Sequence, residues 1–125
     1  MNTIRNNALG VVVSNGASVR IFGNTIQNSA GDGIQALRDS HADLARNQIF
    51  TNGGDGIEVA ENATVQLRED SGASIFESAN TTTSANTGFG IKCSNGGVTD
   101  GRQGSLAGAN EPTNFAGSCI DSVTP

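Results

Sequence analysis

Apolar and polar residues alternate along this chain in short tracts. Ile34-Gln35-Ala36, Ala42-Asp43-Leu44 and the segment around Ile49 are three such tracts in quick succession. Alternation with a period of two marks a strand with one buried face. Gly, Asn, Asp and Ser fill the gaps between tracts, and these residues tolerate the left-handed backbone that tight corners require. The whole arrangement then recurs. Val19-Arg20-Ile21-Phe22-Gly23-Asn24-Thr25-Ile26 falls on Ala42-Asp43-Leu44-Ala45-Arg46-Asn47-Gln48-Ile49 after 23 residues, and on Val65-Gln66-Leu67-Arg68-Glu69-Asp70 after 23 more. Gly10-Val11-Val12-Val13 likewise maps onto Gly33-Ile34-Gln35-Ala36 and Gly56-Ile57-Glu58-Val59, then, after a longer step of 34, onto Gly90-Ile91-Lys92-Cys93. The longer step places an insertion of 11 residues in the fourth unit. Most of it falls in the polar stretch Glu77 to Thr87, which predicts a protruding loop over residues 77–89.

Three strands and three corners per 23 residues make one coil of a solenoid. Stacked coils lie about 4.8 Å apart, with each strand hydrogen-bonded to its equivalents above and below in parallel, and parallel crossovers are almost always right-handed. The expected fold is therefore all-β: a right-handed single-stranded parallel β-helix of five coils, forming one domain over residues 1–125. Residues 101–125 are its closing segment. The predicted inward columns are Val11/Ile34/Ile57/Ile91, Val13/Ala36/Val59/Cys93, Val19/Ala42/Val65, Ile21/Leu44/Leu67 and Ile4/Ile26/Ile49. Asn24, Asn47 and Asp70 are expected to stack as a corner ladder. A leucine-rich repeat is the competing solenoid, because Val19-x-Ile21-x-x-Asn24-x-Ile26 matches half of its pattern. Against it, Gly16, Asp39 and Asn62 stand where that pattern needs Leu, and no helical stripe is present. A left-handed β-helix needs a six-residue period, which the chain lacks.

Composition narrows the function classes. The 35% hydrophobic fraction is low, but the 17 Gly bring the apolar-plus-Gly share close to the usual one of about 45–50%, so disorder is not implied. A net charge of −5 at pH 7 offers no electrostatic footprint for a polyanion, so nucleic acid is not an expected partner. No apolar run approaches the roughly 20 residues that span a bilayer, and the chain opens without the basic-then-apolar pattern of a signal peptide.

These residues resemble right-handed parallel β-helix repeat proteins of the pectate-lyase-like superfamily, in particular its many bacterial members. The likeness covers nearly the whole chain. It rests on Asn-x-Ile-x-Asn…Asp-Gly-Ile (Asn24 to Ile34, and Asn47 to Ile57 with Asn52 one place later), on corner Asn stacking, and on a closing segment. That segment comprises Gly88 to Ser94, Gly101 to Leu106 and Phe115 to Ser122. The resemblance implies an exported protein, outside the cell, in the periplasm or at the cell surface. It carries little about activity, because one fold hosts many. One departure stands out: the chain enters at Asn2-Thr3-Ile4 in mid-coil, without the covering element that solenoids place at their ends. The expectation is a C-terminal fragment of such a protein, from a truncated gene or a cassette, and a homo-oligomer formed through the open first coil.

Polysaccharide lyases on this fold hold Ca²⁺ between clustered carboxylates and use an Arg or Lys base, and hydrolases use two carboxyls flanking the glycosidic bond. Asp32 and Asp55 occupy equivalent Asp-Gly corners of successive coils, where two carboxylates about 5 Å apart would raise one pKa or invite a cation or a carbohydrate. The alternative is that Asp before Gly only makes the turn. The outward columns Arg20/Asp43/Gln66 and Val12/Gln35/Glu58/Lys92 read as a solvated face, with Arg20–Asp43 and Glu58–Lys92 as charge pairs. His41, the single His, lies near Asp39 and Asp43 with no evident nucleophile or metal partner. The two cysteines are too far apart in sequence, and without His at ligand spacing, to form a metal site. Five Phe and no Trp or Tyr leave Phe22 with Phe50, and Phe76 with Phe89, as the aromatic groups available to a saccharide, against an ordinary packing role. Only Thr3 and Thr25 form an outward Thr file before Gln48 ends it. Asn62-Ala63-Thr64 and Asn80-Thr81-Thr82 match the glycosylation triplet.

Cys93 lies in an inward column and Cys119 follows 26 residues later, about one coil on. Stacked positions fall within the 4.4–6.8 Å Cα separation of a disulfide. A Cys93–Cys119 bridge would fasten the last coil by about 3 kcal/mol and would imply an oxidising compartment; two small buried thiols are the alternative. The function expected is a non-catalytic structural or interaction scaffold that contacts surface glycans and needs no cofactor. The alternative is a polysaccharide lyase or glycoside hydrolase relative acting on acidic polysaccharide, with Ca²⁺ at Asp32 and Asp55.

Overall fold

The computed structural model describes residues 1–67, 86–102, 115–117 and 123–124. Asp70, Phe76, Asn80 and Cys119 lie outside the described residues, as do most of the insertion and of the closing segment. The described strands form three all-parallel sheets. Sheet A holds β1 (Thr3–Arg5), β4 (Thr25–Gln27) and β7 (Gln48–Phe50). Sheet B holds β2 (Val11–Val13), β5 (Ile34–Ala36), β8 (Ile57–Val59), β10 (Ile91–Cys93) and β12 (Phe115–Gly117). Sheet C holds β3 (Ser18–Phe22), β6 (His41–Ala45), β9 (Thr64–Leu67), β11 (Val98–Arg102) and β13 (Val123–Thr124). The chain visits the sheets in turn, so each strand pairs with the strand one lap away.

The expected columns are in register. Val11, Ile34, Ile57 and Ile91 face one another in sheet B. Val19, Ala42 and Val65 do so in sheet C, as do Ile21, Leu44 and Leu67. Ile4, Ile26 and Ile49 form the column of sheet A. From the second coil onward these side chains leave water completely: Ile26, Ile34, Leu44, Ile49 and Ile57 are 0% exposed. Each such burial is worth roughly 1.5–3 kcal/mol relative to exposure.

Close stacking has a steric condition at Gly33. A Cβ there would lie 2.7 Å from the Gly56 carbonyl oxygen and 2.7 Å from Ile49 Cγ2, and Gly10 and Gly56 meet the same obstacle from the next coil's carbonyl, so the residues leading into β2, β5 and β8 have to lack a side chain.

The insertion ends earlier than the sequence pattern suggests. Residues 86–89, expected within the loop, instead run in register with the coil before them. Thr87 N–H donates to the Asn52 carbonyl, Gly88 N–H to the Gly54 carbonyl and Phe89 N–H to Asp55 Oδ1. The polar composition of this stretch reflects corner chemistry. In the closing part of the chain, β11 extends sheet C, and Thr99 continues the column of Val65 as a fully buried hydroxyl 3.1 Å from Cys93 Sγ. The register partner of Cys93 is Gly117, so Cys119 follows two residues beyond the stacked position.

Candidate functional site

The polar residues of interest gather where the chain enters sheet B. Asp32-Gly33 and Asp55-Gly56 lead into β5 and β8, whose central residues Gln35 and Glu58 point outward and pair in register with each other and with Lys92 of β10. Asp32 Oδ1 accepts the Asp55 N–H at 2.7 Å, and Asp55 Oδ1 accepts the Phe89 N–H at 2.8 Å. Each carboxylate therefore caps the backbone of the next coil. The Gln35 side-chain amide donates to Asp32 Oδ2 at 2.9 Å and to Glu58 Oε2 at 2.8 Å, joining two acids through one group.

This arrangement sets the protonation chemistry. Burial raises the pKa of Asp55, and the Asp32 charge adds to it; the Phe89 N–H bond and Lys92 oppose the rise. Glu58 is also raised, first by burial, then by its hydrogen bond to Asp32 and the charge there, with Gln35 and Lys92 opposing. Asp32 and Asp55 are thus brought together, as the equivalent corners imply, but the contact runs from carboxylate to backbone. The expected Glu58–Lys92 ion pair is not formed among the described residues, because Gln35 engages the Glu58 carboxylate; the Arg20–Asp43 pair is present at 3.9 Å.

Two Asn ladders run alongside. Asn24 N–H donates to Asn47 Oδ1 at 3.0 Å, and Asn47 Nδ2 donates to the Ile21 carbonyl at 2.7 Å. Asn2 adds a rung that sequence reasoning missed, donating its N–H to Asn24 Oδ1 at 3.1 Å. The second ladder, Asn52 to Asn86, was missed altogether: Asn52 N–H and Nδ2 donate to Asn86 Oδ1 at 3.1 and 2.9 Å, and Ser29 N–H donates to Asn52 Oδ1. A signal was available, since Asn52 and Asn86 each stand four residues before a Gly-Ile pair.

On sheet C, His41 Nε2 lies 3.1 Å from Asp43 Oδ1, with Ser18 and Thr64 as its register partners on either side. The Arg20 guanidinium stands over the Phe22 ring at 5.1 Å. Phe22 and Phe50 belong to different sheets and do not share an edge. No group of three or more His, Cys, Asp or Glu among the described residues has the arrangement of a metal site.

The sequence model of the right-handed beta helix region family matches residues 1–71 of the chain. The chain belongs to the right-handed β-helix family. No match was found among curated proteins, and none among solved structures. In this right-handed β-helix the linked acids and amide lie on the outer face of sheet B and at its entrance, while the described inward columns are apolar except at Thr99.

Proposed function

We propose that this β-helix acts as a non-catalytic structural or interaction scaffold whose sheet B face contacts glycans. The observation that carries the reading is the use of Asp32 and Asp55: both carboxylates serve as acceptors for a neighbouring coil's backbone N–H, as neutral Asn does in the ladders alongside, though the Asp residues accept from the next coil and the Asn residues from the preceding one. A parent protein exported to the cell surface, the periplasm or the medium fits this role. A Cys93–Cys119 bridge would fit that setting, and the burial of Cys93 in an inward column is what supports it. A mass increase of two hydrogens on reduction is the expected result, and an unchanged mass would remove the bridge and the argument for an oxidising compartment.

One observation favours a second reading, a lyase or glycosidase relative acting on acidic polysaccharide. Asp32, Gln35, Glu58 and Lys92 share one sheet face, joined at Gln35. A carboxyl with a raised pKa suits a general acid, and a lysine beside it suits a uronate carboxylate or a base. Polygalacturonate and alginate separate the readings. Affinity electrophoresis should show retardation without release of unsaturated or reducing ends. Turnover that disappears in Glu58→Gln and Lys92→Ala would establish the enzymatic reading instead.

A further inference from the structure

Three Asn-Gly pairs occur in the chain: Asn15-Gly16, Asn52-Gly53 and Asn95-Gly96. Such a pair is reactive when its parts can meet. The backbone nitrogen of the glycine attacks the side-chain amide carbon of the asparagine, and the missing Cβ leaves that nitrogen unshielded. The reaction needs an amide side chain free to turn and a glycine N–H that is not donating elsewhere. The fold supplies these conditions unequally.

Asn52 meets neither condition. It is 1% exposed, its Nδ2 donates to Asn86 Oδ1 at 2.9 Å, and the Gly53 N–H donates to the Ser29 carbonyl at 2.9 Å. The other two pairs share one triplet, Ser14-Asn15-Gly16 and Ser94-Asn95-Gly96, and stand at the same corner between sheets B and C. Both asparagines and both glycines are exposed, and all four have positive φ. Local sequence therefore does not separate them, but hydrogen bonding does. Gly16 N–H donates to the Arg38 carbonyl at 3.0 Å. At the later corner the bond between coils falls on the Asn95 carbonyl, which accepts from Asn62 N–H at 3.1 Å, and Gly96 N–H donates to none of the described residues. The φ of 80° at Gly96 and the Asn62 side chain lying beside it both favour glycine there, so the corner retains the residue that makes the reaction possible.

We propose that Asn95 is a site of spontaneous covalent modification, at which the Gly96 nitrogen closes on Asn95 Cγ and expels ammonia. The bond from Gly96 N to Cγ forms and the Cγ–Nδ2 bond breaks; the Gly96 nitrogen gives up its proton, and the leaving amide takes one up as ammonia. Water then opens the cyclic imide at either carbonyl. Opening at Cγ gives aspartate. Opening at the main-chain carbonyl gives isoaspartate, in which the chain runs through the former side chain. Neither route needs an oxidant or an enzyme. Both products add a negative charge to a chain whose net charge is already −5. Isoaspartate also lengthens the turn between β10 and β11 by one backbone atom and converts the acceptor of Asn62 N–H into a free carboxylate. The turn that Gly97 N–H closes on the Ser94 carbonyl at 2.9 Å is loosened as a result.

Peptide mapping of the full chain after incubation in mildly alkaline buffer tests this, with circular dichroism as the check on folding and a sample in urea as the unfolded reference. Each asparagine is followed by the mass gain of amide-to-acid conversion, and isoaspartate by methyl transfer from an isoaspartyl methyltransferase. In the folded chain Asn95 should convert about tenfold faster than Asn15, whose glycine nitrogen is engaged, and Asn52 should stay intact. In urea Asn15 and Asn95, sharing one triplet, should react at similar rates. Asn95→Gly suits the left-handed corner and should remove most of the isoaspartate from the folded chain. Asn15 reacting as fast as Asn95 in the folded chain, Asn95 staying intact while the urea reference converts, or conversion at Asn95 without isoaspartate would each overturn the proposal.

Discussion

Between sheets C and A the chain turns through Asn24 and then Asn47; between sheets B and C it turns through Asn15-Gly16, Arg38-Asp39, Glu61-Asn62 and Asn95-Gly96. The first corner is built from side chains. Each Asn accepts a backbone N–H from the preceding coil, and Asn47 also satisfies a buried carbonyl, so the residue type itself holds two coils together. The second corner is built from backbone conformation. Both central residues have positive φ, from 47° at Asn95 to 80° at Gly96, and the turn closes on itself, as in the bond from Ala63 N–H to the Ala60 carbonyl. Any residue that tolerates the left-handed region can stand there, which explains how Arg and Glu came to occupy sites that Asn fills in other coils. The first corner constrains chemistry as well as shape, since Gly23 and Arg46 just before its Asn residues also have positive φ, whereas the second constrains shape alone.

The contrast breaks most readily at Asn47. Asn47→Ala leaves the Asn24 N–H without its partner and removes the bond from Asn47 Nδ2 to the Ile21 carbonyl, and should cost about 1–3 kcal/mol in chemical denaturation. A loss below about 1 kcal/mol would mean that the ladder is incidental. The backbone-built corner should respond in the opposite direction. Arg38→Asn with Asp39→Gly installs the residues of the first and fourth turns. It relieves left-handed strain of about 1–2 kcal/mol per residue, less the contribution of the exposed Arg38–Glu61 pair, at most about 1 kcal/mol. A net gain in melting temperature is expected.

A smaller gain should come from completing a ladder. Ser29 precedes Asn52 and Asn86 in their column, and its Oγ is buried without a partner. Ser29→Asn extends the ladder one coil downward and should stabilise by about 1 kcal/mol, read from the denaturation midpoint. Destabilisation would show that the column cannot hold an amide so near the first coil.

The smallest effect concerns pH. Asp55 and Glu58 have raised pKa values in the folded state, so the folded protein binds their protons more tightly than the unfolded chain does. Their contribution is unfavourable at neutral pH and is relieved as pH falls through the folded values toward the ordinary carboxylate range. Melting temperature should therefore rise slightly on mild acidification. Glu58→Gln, which mimics the protonated form, should raise the neutral-pH value and flatten the profile; a steeper profile would contradict the assignment.

How much of this was legible in the sequence follows the same division. The apolar columns could be read because Gly-Ile-x-Val and its variants keep period two and a constant spacing, and a one-residue slip would turn every Ile outward. The corner pair Asn24 and Asn47 was legible because the two share a repeat position. The ladder of Asn52 and Asn86 was obscured because its third member is Ser29 and because the insertion falls between its two Asn residues. The cluster at Gln35 was not legible. Which carboxylate an amide meets depends on how side chains turn above the sheet, and register alone pointed to Lys92 as the partner of Glu58. Burial of Thr99 in an otherwise apolar column also broke the pattern from which columns are read.

The account holds that the sheet B corner acids are members of the ladder and not ligands, and Asp55 tests this most directly. Thermal unfolding of the wild type, Asp55→Asn and Asp55→Ala should be compared with and without millimolar Ca²⁺. Asn keeps an acceptor for the Phe89 N–H and sheds a poorly solvated charge, so it should match or exceed the wild type, whereas Ala should lose about 1–3 kcal/mol. Calcium should move none of the three. A rise in wild-type melting temperature on adding calcium that Asp55→Asn abolishes would contradict the account and make the two corner aspartates a cation site.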